Sequence, residues 1–415
     1  MKDVIVLGAG YSLTLGVVRS LGMAGYNSRV MVVSNADERI VGSSKYAIKC
    51  CNYLKIIGKN DIYNRILRKV FKKSSIKIDY NHLWIALEEL RGSDERILVI
   101  PVSDSYCVML DEHAKQLSEH YVLPDIHEGS RRIVRFMDKM IQKQLARKCG
   151  LLTANGNVFS TDERGIRGAI QQNIFPCFVK VLISANVSHG KTFYSICKNE
   201  LELEQAMKKA GNGGCNKVLV EEFLETEKEL CAYGVAYKGS VLIPACMETL
   251  RGGIGACKGV AVEGVVTSAK RLGKTKEKLK QFVKESGLTG LFCIDMIQSK
   301  GEHYFLEMNL RSGGSIYAVT LAGANLPGAL ADMIYHNSSS EPVEVRRTVH
   351  FLSEVTELYT YMDGFISKKE YKTHMAGGQE RFIQSEVDPE PWKEFRKQVF
   401  LTRFIKSFQR LIKVK

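Results

Sequence analysis

The chain has 415 residues, 45% hydrophobic and 25% charged, which is enough to bury a substantial core and too apolar for a disordered tether. Its eleven cysteines are odd in number and hold no C-x-x-C pair, which excludes a disulfide framework and a zinc ribbon and points to a reducing, cytoplasmic setting. No apolar run has the length of a membrane span, and the formal net charge of +14 speaks to solubility and non-specific attraction, so no nucleic-acid partner is inferred from it.

The first residues, V-I-V-L-G-A-G-Y-S-L-T-L-G, read as a strand, a turn at Gly8 and Gly10 and an amphipathic helix, with a second strand at 29–33 closing a βαβ start. Leu13 stands where a dinucleotide fingerprint needs its third glycine, and the second strand ends at Ser34-Asn35 without an acid for a ribose. A NAD-dependent oxidoreductase is therefore the disfavoured alternative. The run I-L-V-I-P-V-S-D-S-Y, 97–106, is a parallel strand that delivers Asp104 to the carboxyl edge of a sheet. Asp104 there either lines a substrate cleft or caps the next helix, and capping is preferred.

A helix from about 136 to 149 follows, with Met140, Leu145 and Cys149 as its apolar positions and Gly150 as its stop. Lys139 lies in its first turn, where a cation opposes the helix dipole unless an anionic ligand is near. The strand F-V-K-V then carries Lys180, and a small-residue loop ending Ser188-His189-Gly190-Lys191 leads to a strand at 192–196. A hairpin tip of this kind, with a glycine and lysines, can close over phosphates, though the loop by itself does not single out that role. V-L-V-E-E-F-L, 218–224, is an apolar strand ending at Glu221, Glu222, Phe223 and Leu224, and a further strand begins beside Glu229. The stretch 247–264, with Gly252, Gly253, Gly255, Gly259 and Gly264, is too rich in glycine for an ordinary strand and suggests backbone close to a ligand, with Arg251 pointing at it. A helix over 274–286 comes next.

The most informative stretch is L-F-C-I-D-M-I-Q-S-K-G-E-H-Y-F-L-E-M-N-L-R-S-G-G-S, 291–315. Strands at 291–298 and 303–309 around Ser299-Lys300-Gly301 form a hairpin, and alternation puts Glu307 and Asn309 on one face with Leu306 and Met308 in the core. A three-residue loop pairs Gln298 with Glu302 and brings Asp295 to the acidic face, whereas a two-residue loop sends it to the other; the odd loop is expected. Two carboxylates and an amide are hard ligands of the kind Mg²⁺ takes, and Mn²⁺ would accept the same set. After Gly313-Gly314 come two helical stretches broken at Pro327, a polar linker at 337–342, and a tail whose Trp392, Phe395, Val399, Phe404, Phe408 and Leu411 recur at helical spacing. The basic residues of 391–415 suit either an anionic membrane surface or solvent beside an aromatic stripe docked on the body, and docking is preferred.

Taken in order, I-P-V-S-D-S-Y, the D-K helix ending G-L-L-T-A, F-V-K-V, V-E-E-F-L, D-M-I and E-M-N-L-R resemble the ATP-grasp superfamily over roughly residues 1–336. The resemblance implies a mixed α/β and α+β chain: a Rossmann-like pre-ATP-grasp domain at 1–125, an ATP-grasp domain at 126–336 and a C-terminal extension at 337–415. ATP would lie between a lid at about 152–222 and a larger antiparallel sheet. By matching position, Lys139 and Lys180 resemble the phosphate-contacting lysines, Ser188, His189 and Gly190 the phosphate lid, Glu221, Glu222, Phe223 and Leu224 the adenine hinge, and Glu229 the ribose ligand. Asp295, Glu307 and Asn309 resemble the ligands of one or two Mg²⁺. Arg311 matches the arginine that pairs with the γ-phosphoryl group and an oxyanion, so Arg311 and Lys180 are the expected catalytic residues, with Arg251, Ser312 and Asp104 lining the substrate pocket. S-H-G-K-T departs from the family's commoner G-S-x-G lid.

E-M-N-L-R-S-G-G-S is closer to carboxylate-amine ligases and to the synthetase part of carbamoyl phosphate synthetase than to D-alanine:D-alanine ligase. The implied activity is ATP- and Mg²⁺-dependent activation of a small carboxylate as an acyl phosphate and its transfer to an amine, in a chain for which a homodimer is compatible. Carbamoyl phosphate synthetase-like phosphorylation of a carboxylate or bicarbonate is the alternative within the family. A non-catalytic nucleotide-binding protein recruited to membrane by its tail is the alternative from another class.

Overall fold

In the computed structural model, which describes residues 2–56, 79–92, 96–126, 132–172, 174–182, 194–255, 259–337 and 343–400, the first five strands form one parallel sheet. They are β1 (Asp3–Leu7), β2 (Asn27–Val32), β3 (Ala47–Asn52), β4 (Ile97–Pro101) and β5 (Tyr121–Val122), in the order β3-β2-β1-β4-β5. Val4 and Val6 pack under the helix Tyr11–Met23, while Ile5 and Leu7 face the helix Tyr80–Arg91, so β1 is buried on both faces and reads as a continuous apolar run.

A short strand β6 (Asp125–Ile126) leads on to an antiparallel sheet of β7 (Gly156–Ser160), β8 (Cys177–Val181), β9 (Tyr194–Cys197) and β10 (Lys217–Glu222), in the order β7-β10-β8-β9. The helices Glu163–Gln172 and Glu200–Asn212 cover it. The third sheet holds β11 (Lys228–Tyr237), β12 (Ser240–Gly252), β13 (Ala261–Ser268), β14 (Leu288–Ser299), β15 (Glu302–Asn309), β16 (Val349–Leu352) and β17 (Glu380–Arg381), in the order β15-β14-β11-β12-β13-β16-β17, with β6 paired to β14. Along β11, Leu230 and Ala232 pack with Phe282 of the helix Lys274–Ser286, while Cys231 and Tyr233 join the core shared with the helices Ile316–Leu321 and Leu326–His336. That second core is continuous with the helix Tyr11–Met23, so it welds the large sheet to the parallel one.

Three expectations change. The large sheet runs past residue 336: β16 pairs with β13, and β17 with β16, so 343–400 supplies strands as well as the tail. Pro327 does not break a helix but sits in the first turn of Leu326–His336, where its missing N–H has no helical partner to lose. Gly264 is explained by packing, because a Cβ there would lie 2.7 Å from the Phe351 ring. Over 390–400 the helical segment docks the first part of the stripe: Phe395 is buried, 5.6 Å from the Tyr11 ring and stacked on Trp392 at 5.5 Å. Phe404, Phe408 and Leu411 lie outside the described residues. Among the described residues no helix is long and apolar enough to cross a membrane.

Candidate active site

The β14–β15 hairpin forms, but with an even turn. Ser299 pairs with Glu302 across Lys300 (φ 51°) and Gly301 (φ 78°), two left-handed residues that match a primed two-residue turn. The expected odd loop is therefore wrong. The missing residue is supplied instead by a β-bulge: the ladder runs Met296 with Phe305, then Asp295 with Glu307, leaving Leu306 extra. The shift brings Asp295 directly opposite Glu307 and moves the core position from Leu306 to Phe305, so the buried residues are Phe305, Met308 and Leu310. Asn309 pairs with Cys293, and its side-chain amide donates to Asp295 Oδ2 at 2.9 Å. Burial, and next the facing charge of Glu307, push the Asp295 carboxyl up to about 6.

The helix that carries Lys139 begins afresh at Asp138, whose carboxylate accepts from the amides of Met140 and Ile141. Its buried face is not Met140, Leu145 and Cys149 but Lys139, Gln142, Lys143 and Ala146. Gln142 fastens this face to the edge strand: its Nε2 donates to Met308 O at 2.9 Å and its Oε1 accepts from Met308 N at 2.7 Å. Lys139 Nζ thereby lies 2.5 Å from Glu307. Burial opposes ionisation of Glu307, yet the Lys139 charge outweighs it and holds that carboxyl below its usual range. Lys143 pairs with Glu221 of β10, and Lys180 of β8 reaches the other oxygen of the same carboxylate at 3.1 Å. Two buried ammonium groups thus share one buried carboxylate, and burial lowers Lys143 to about 8. Just past β15, Arg311 Nε donates to Asp104 at 2.9 Å; burial opposes its charge, but Asp104 outweighs that and holds the guanidinium firmly protonated.

Residues 249–357 match the family model described as ATP-grasp in the biosynthetic pathway with Ter operon. N5-carboxyaminoimidazole synthetase from Staphylococcus aureus complexed with ADP is similar over 93% of this chain and 89% of its own, at 15% identity and a TM-score of 0.63. Biotin carboxylase from Campylobacter jejuni, solved as a beta-gamma-ATP complex, is similar over 85% and 75%, at 14% identity and a TM-score of 0.62. The chain has the ATP-grasp fold. No curated protein matches the sequence.

Within the ATP-grasp frame, Asp295, Glu307, Asn309 and Lys139 come together, with Arg311 and Asp104 following at the end of β15; the cleft there is lined by Asp104, Lys139, Glu307 and Asn309. Glu229 pairs with Ile297 and lies on the strand face of Cys231 and Asp295. At the hinge, the Glu221 carboxylate is turned to the lysines, Glu222 accepts from Asn155 N, and the amides of Glu222 and Phe223 donate to Asn155 O and Pro176 O. Those two amides are therefore already bonded within the fold.

Asp104 does not cap its helix, because Ser103 does. Arg251 pairs with neither Asp295 nor Glu307. It lies further along β12, bridging Glu357 at 2.8 Å and Glu263 at 3.5 Å, with Glu357 also held by His374. Ser312 is buried, and its hydroxyl has no hydrogen-bond partner. Ser188, His189 and Gly190 lie outside the described residues. Sequence reasoning missed Lys143 and Gln142. Their signal was there: two lysines one turn apart, at 139 and 143, repel on an isolated helix and ask for an acid from elsewhere.

Proposed function

We propose that this chain is an ATP- and Mg²⁺-dependent ligase that activates a small carboxylate as an acyl phosphate and passes it to an amine, releasing ADP and phosphate. The observation that carries this reading is Asp295 facing Glu307 across β14 and β15, with Lys139 and Arg311 at the same end of the hairpin. The donor set fits a hard cation: two carboxylates and an amide oxygen, one carboxylate raised in pKa by burial and by the other's charge. Bound there, Mg²⁺ would neutralise charge on the nucleotide phosphates.

The chain's own residues supply the rest. Lys180 and Lys143 exceed Glu221 by one charge, and a phosphate group beside them would balance it. Lys139 is placed to exchange Glu307 for a phosphate oxygen when a cation takes over that carboxylate. Arg311, oriented by Asp104, offers a fixed planar donor to the transferring phosphoryl group, and positioning of this kind supplies most of the catalysis in phosphoryl transfer. Glu229 is on the correct strand face to accept from ribose hydroxyls. The S. aureus and C. jejuni neighbours, solved with ADP and as a beta-gamma-ATP complex, support the nucleotide, and their names, a synthetase and a carboxylase, support carboxylate activation.

The test is ADP release across a panel of carboxylate and amine pairs. Metal-dependent turnover with at least one pair is expected, and Glu307→Gln and Asn309→Ala should each lower it by at least about 100-fold while preserving the circular dichroism spectrum. Full activity in both variants would sink the metal assignment.

A further inference from the structure

Cys231 stands directly opposite Asp295 in the ladder between β11 and β14, and Cys293 lies one pleat along β14 on the same face. The two sulfur atoms and a carboxylate oxygen of Asp295 all lie within 4.8 Å of one another. Both cysteines are buried, at 5% and 3% exposure, whereas Asp295 is only half-buried and turns toward Asn309 and Glu307 at the cleft. Among the described residues no other group of three or more His, Cys, Asp and Glu converges this closely. The proposed ATP chemistry uses neither thiol. Small thiols are common core residues, but here the pair is adjacent to a carboxylate that accepts from Asn309, a residue lining the cleft.

We propose that Cys231, Cys293 and Asp295 form a second cation site, selective for a thiophilic divalent ion such as Zn²⁺ or Cd²⁺, which overlaps the Mg²⁺ site by sharing Asp295. Thiolate sulfur is a poor ligand for Mg²⁺ and a good one for these softer ions. Sulfur bonds of about 2.3 Å and oxygen bonds of about 2.1 Å around a tetrahedral ion set ligand atoms roughly 3.5–4 Å apart, so the three atoms need to close by at most about 1.3 Å. Binding releases two thiol protons as two metal–sulfur bonds form, and the fourth position is left open. Occupancy takes Asp295 from Mg²⁺, so the ion acts as an inhibitor. This last step rests on the function proposed above; the site itself does not.

The experiment is Cd²⁺ titration of the full, nucleotide-free chain without added thiols, read by the ultraviolet sulfur-to-cadmium charge-transfer band. One equivalent is expected to saturate a band that is lost in Cys231→Ser/Cys293→Ser, and Asp295→Asn should weaken Cd²⁺ by at least about tenfold. If the double variant does not fold, Cys231→Ala and Cys293→Ala singly are each expected to lose the band. No band, or one unchanged in the cysteine variants, overturns the site, and full affinity in Asp295→Asn removes the carboxylate from it. Mg²⁺ with a non-hydrolysable ATP analogue should raise the Cd²⁺ concentration needed. A normal band indifferent to Mg²⁺ and nucleotide would overturn the overlap alone and count against Asp295 as a Mg²⁺ ligand.

Discussion

Asp295 is pushed up to about 6 by burial and then by the charge of Glu307, whereas an aspartate in an unfolded chain titrates near about 3.9. Between those values the folded protein keeps a proton that the unfolded chain has released, so stability falls as pH rises through that window and the loss is complete above about pH 6. A displacement of this kind is worth ~1–3 kcal/mol. Asp295→Asn is therefore expected to raise the melting temperature of the metal-free protein at pH 8, to change it little near pH 4, and to abolish metal-dependent turnover. A lower melting temperature at pH 8 would mean that the carboxylate is already well solvated. Glu221 is the reverse case, since removing its charge strands Lys143 and Lys180. Glu221→Gln should cost about 3 kcal/mol in urea denaturation at pH 7, because it leaves buried charge without its partner; a loss under about 1 kcal/mol would show that water already reaches the two lysines. Residue types made Asp295, Glu307 and Asn309 legible, because few structural roles ask for hard ligands on one face of a hairpin, and Lys139 was legible as a cation in the first turn of a helix. Lys143 was hidden by the half-buried Met140, Leu145 and Cys149, which drew the apolar face onto the wrong side of the helix.

Elements were legible wherever a local period set them: β14, β15 and the helix Lys274–Ser286 fall close to where alternation and helical spacing put them. Loop parity was not. Turn residues alone did not distinguish a three-residue loop from a two-residue turn followed by a bulge, and both routes put Asp295 and Glu307 on one face. β15 is the edge strand of the large sheet, so its outer groups at Met308 must be satisfied from elsewhere, and Gln142 does this by accepting from the Met308 amide and donating to its carbonyl. Gln142→Ala should therefore cost about 2 kcal/mol by leaving both groups without their partner. Because Lys139 rides on the same helix, the variant should also raise KM for Mg²⁺-ATP more than it lowers kcat. An unchanged KM would show that the helix is held by its other contacts.

On the scale of the whole molecule, the C-terminal segment is fixed to the N-terminal sheet's first helix by contacts over 360 residues apart in sequence, which no local pattern could announce. Arg19 is fully buried. It donates to the Asp388 carboxylate at 2.8 Å and to the carbonyls of Phe382 and Ile383 at 2.8 Å each, while Asp388 also accepts from Ser44 Oγ and Lys45 N. Glu354 completes the fastening by accepting from the amides of Phe382, Ile383 and Gln384. The helix Glu354–Met362, which begins there, carries Glu357 to Arg251, so the segment both extends the large sheet at one edge and fixes an arginine of β12. A buried ion pair stabilises little against an apolar replacement, but breaking it from one side is costly. Asp388→Asn is thus expected to lose about 3–5 kcal/mol in urea unfolding. Arg19→Met combined with Asp388→Asn should lose less than the sum of the single variants, because the double change no longer leaves Arg19 charged and unpaired. Limited trypsin digestion of Asp388→Asn should release fragments cut between residues 343 and 400 before the rest of the chain is cleaved. Additive single losses with no early cleavage would instead assign the attachment to the apolar contacts of Phe395 and Ile383 alone.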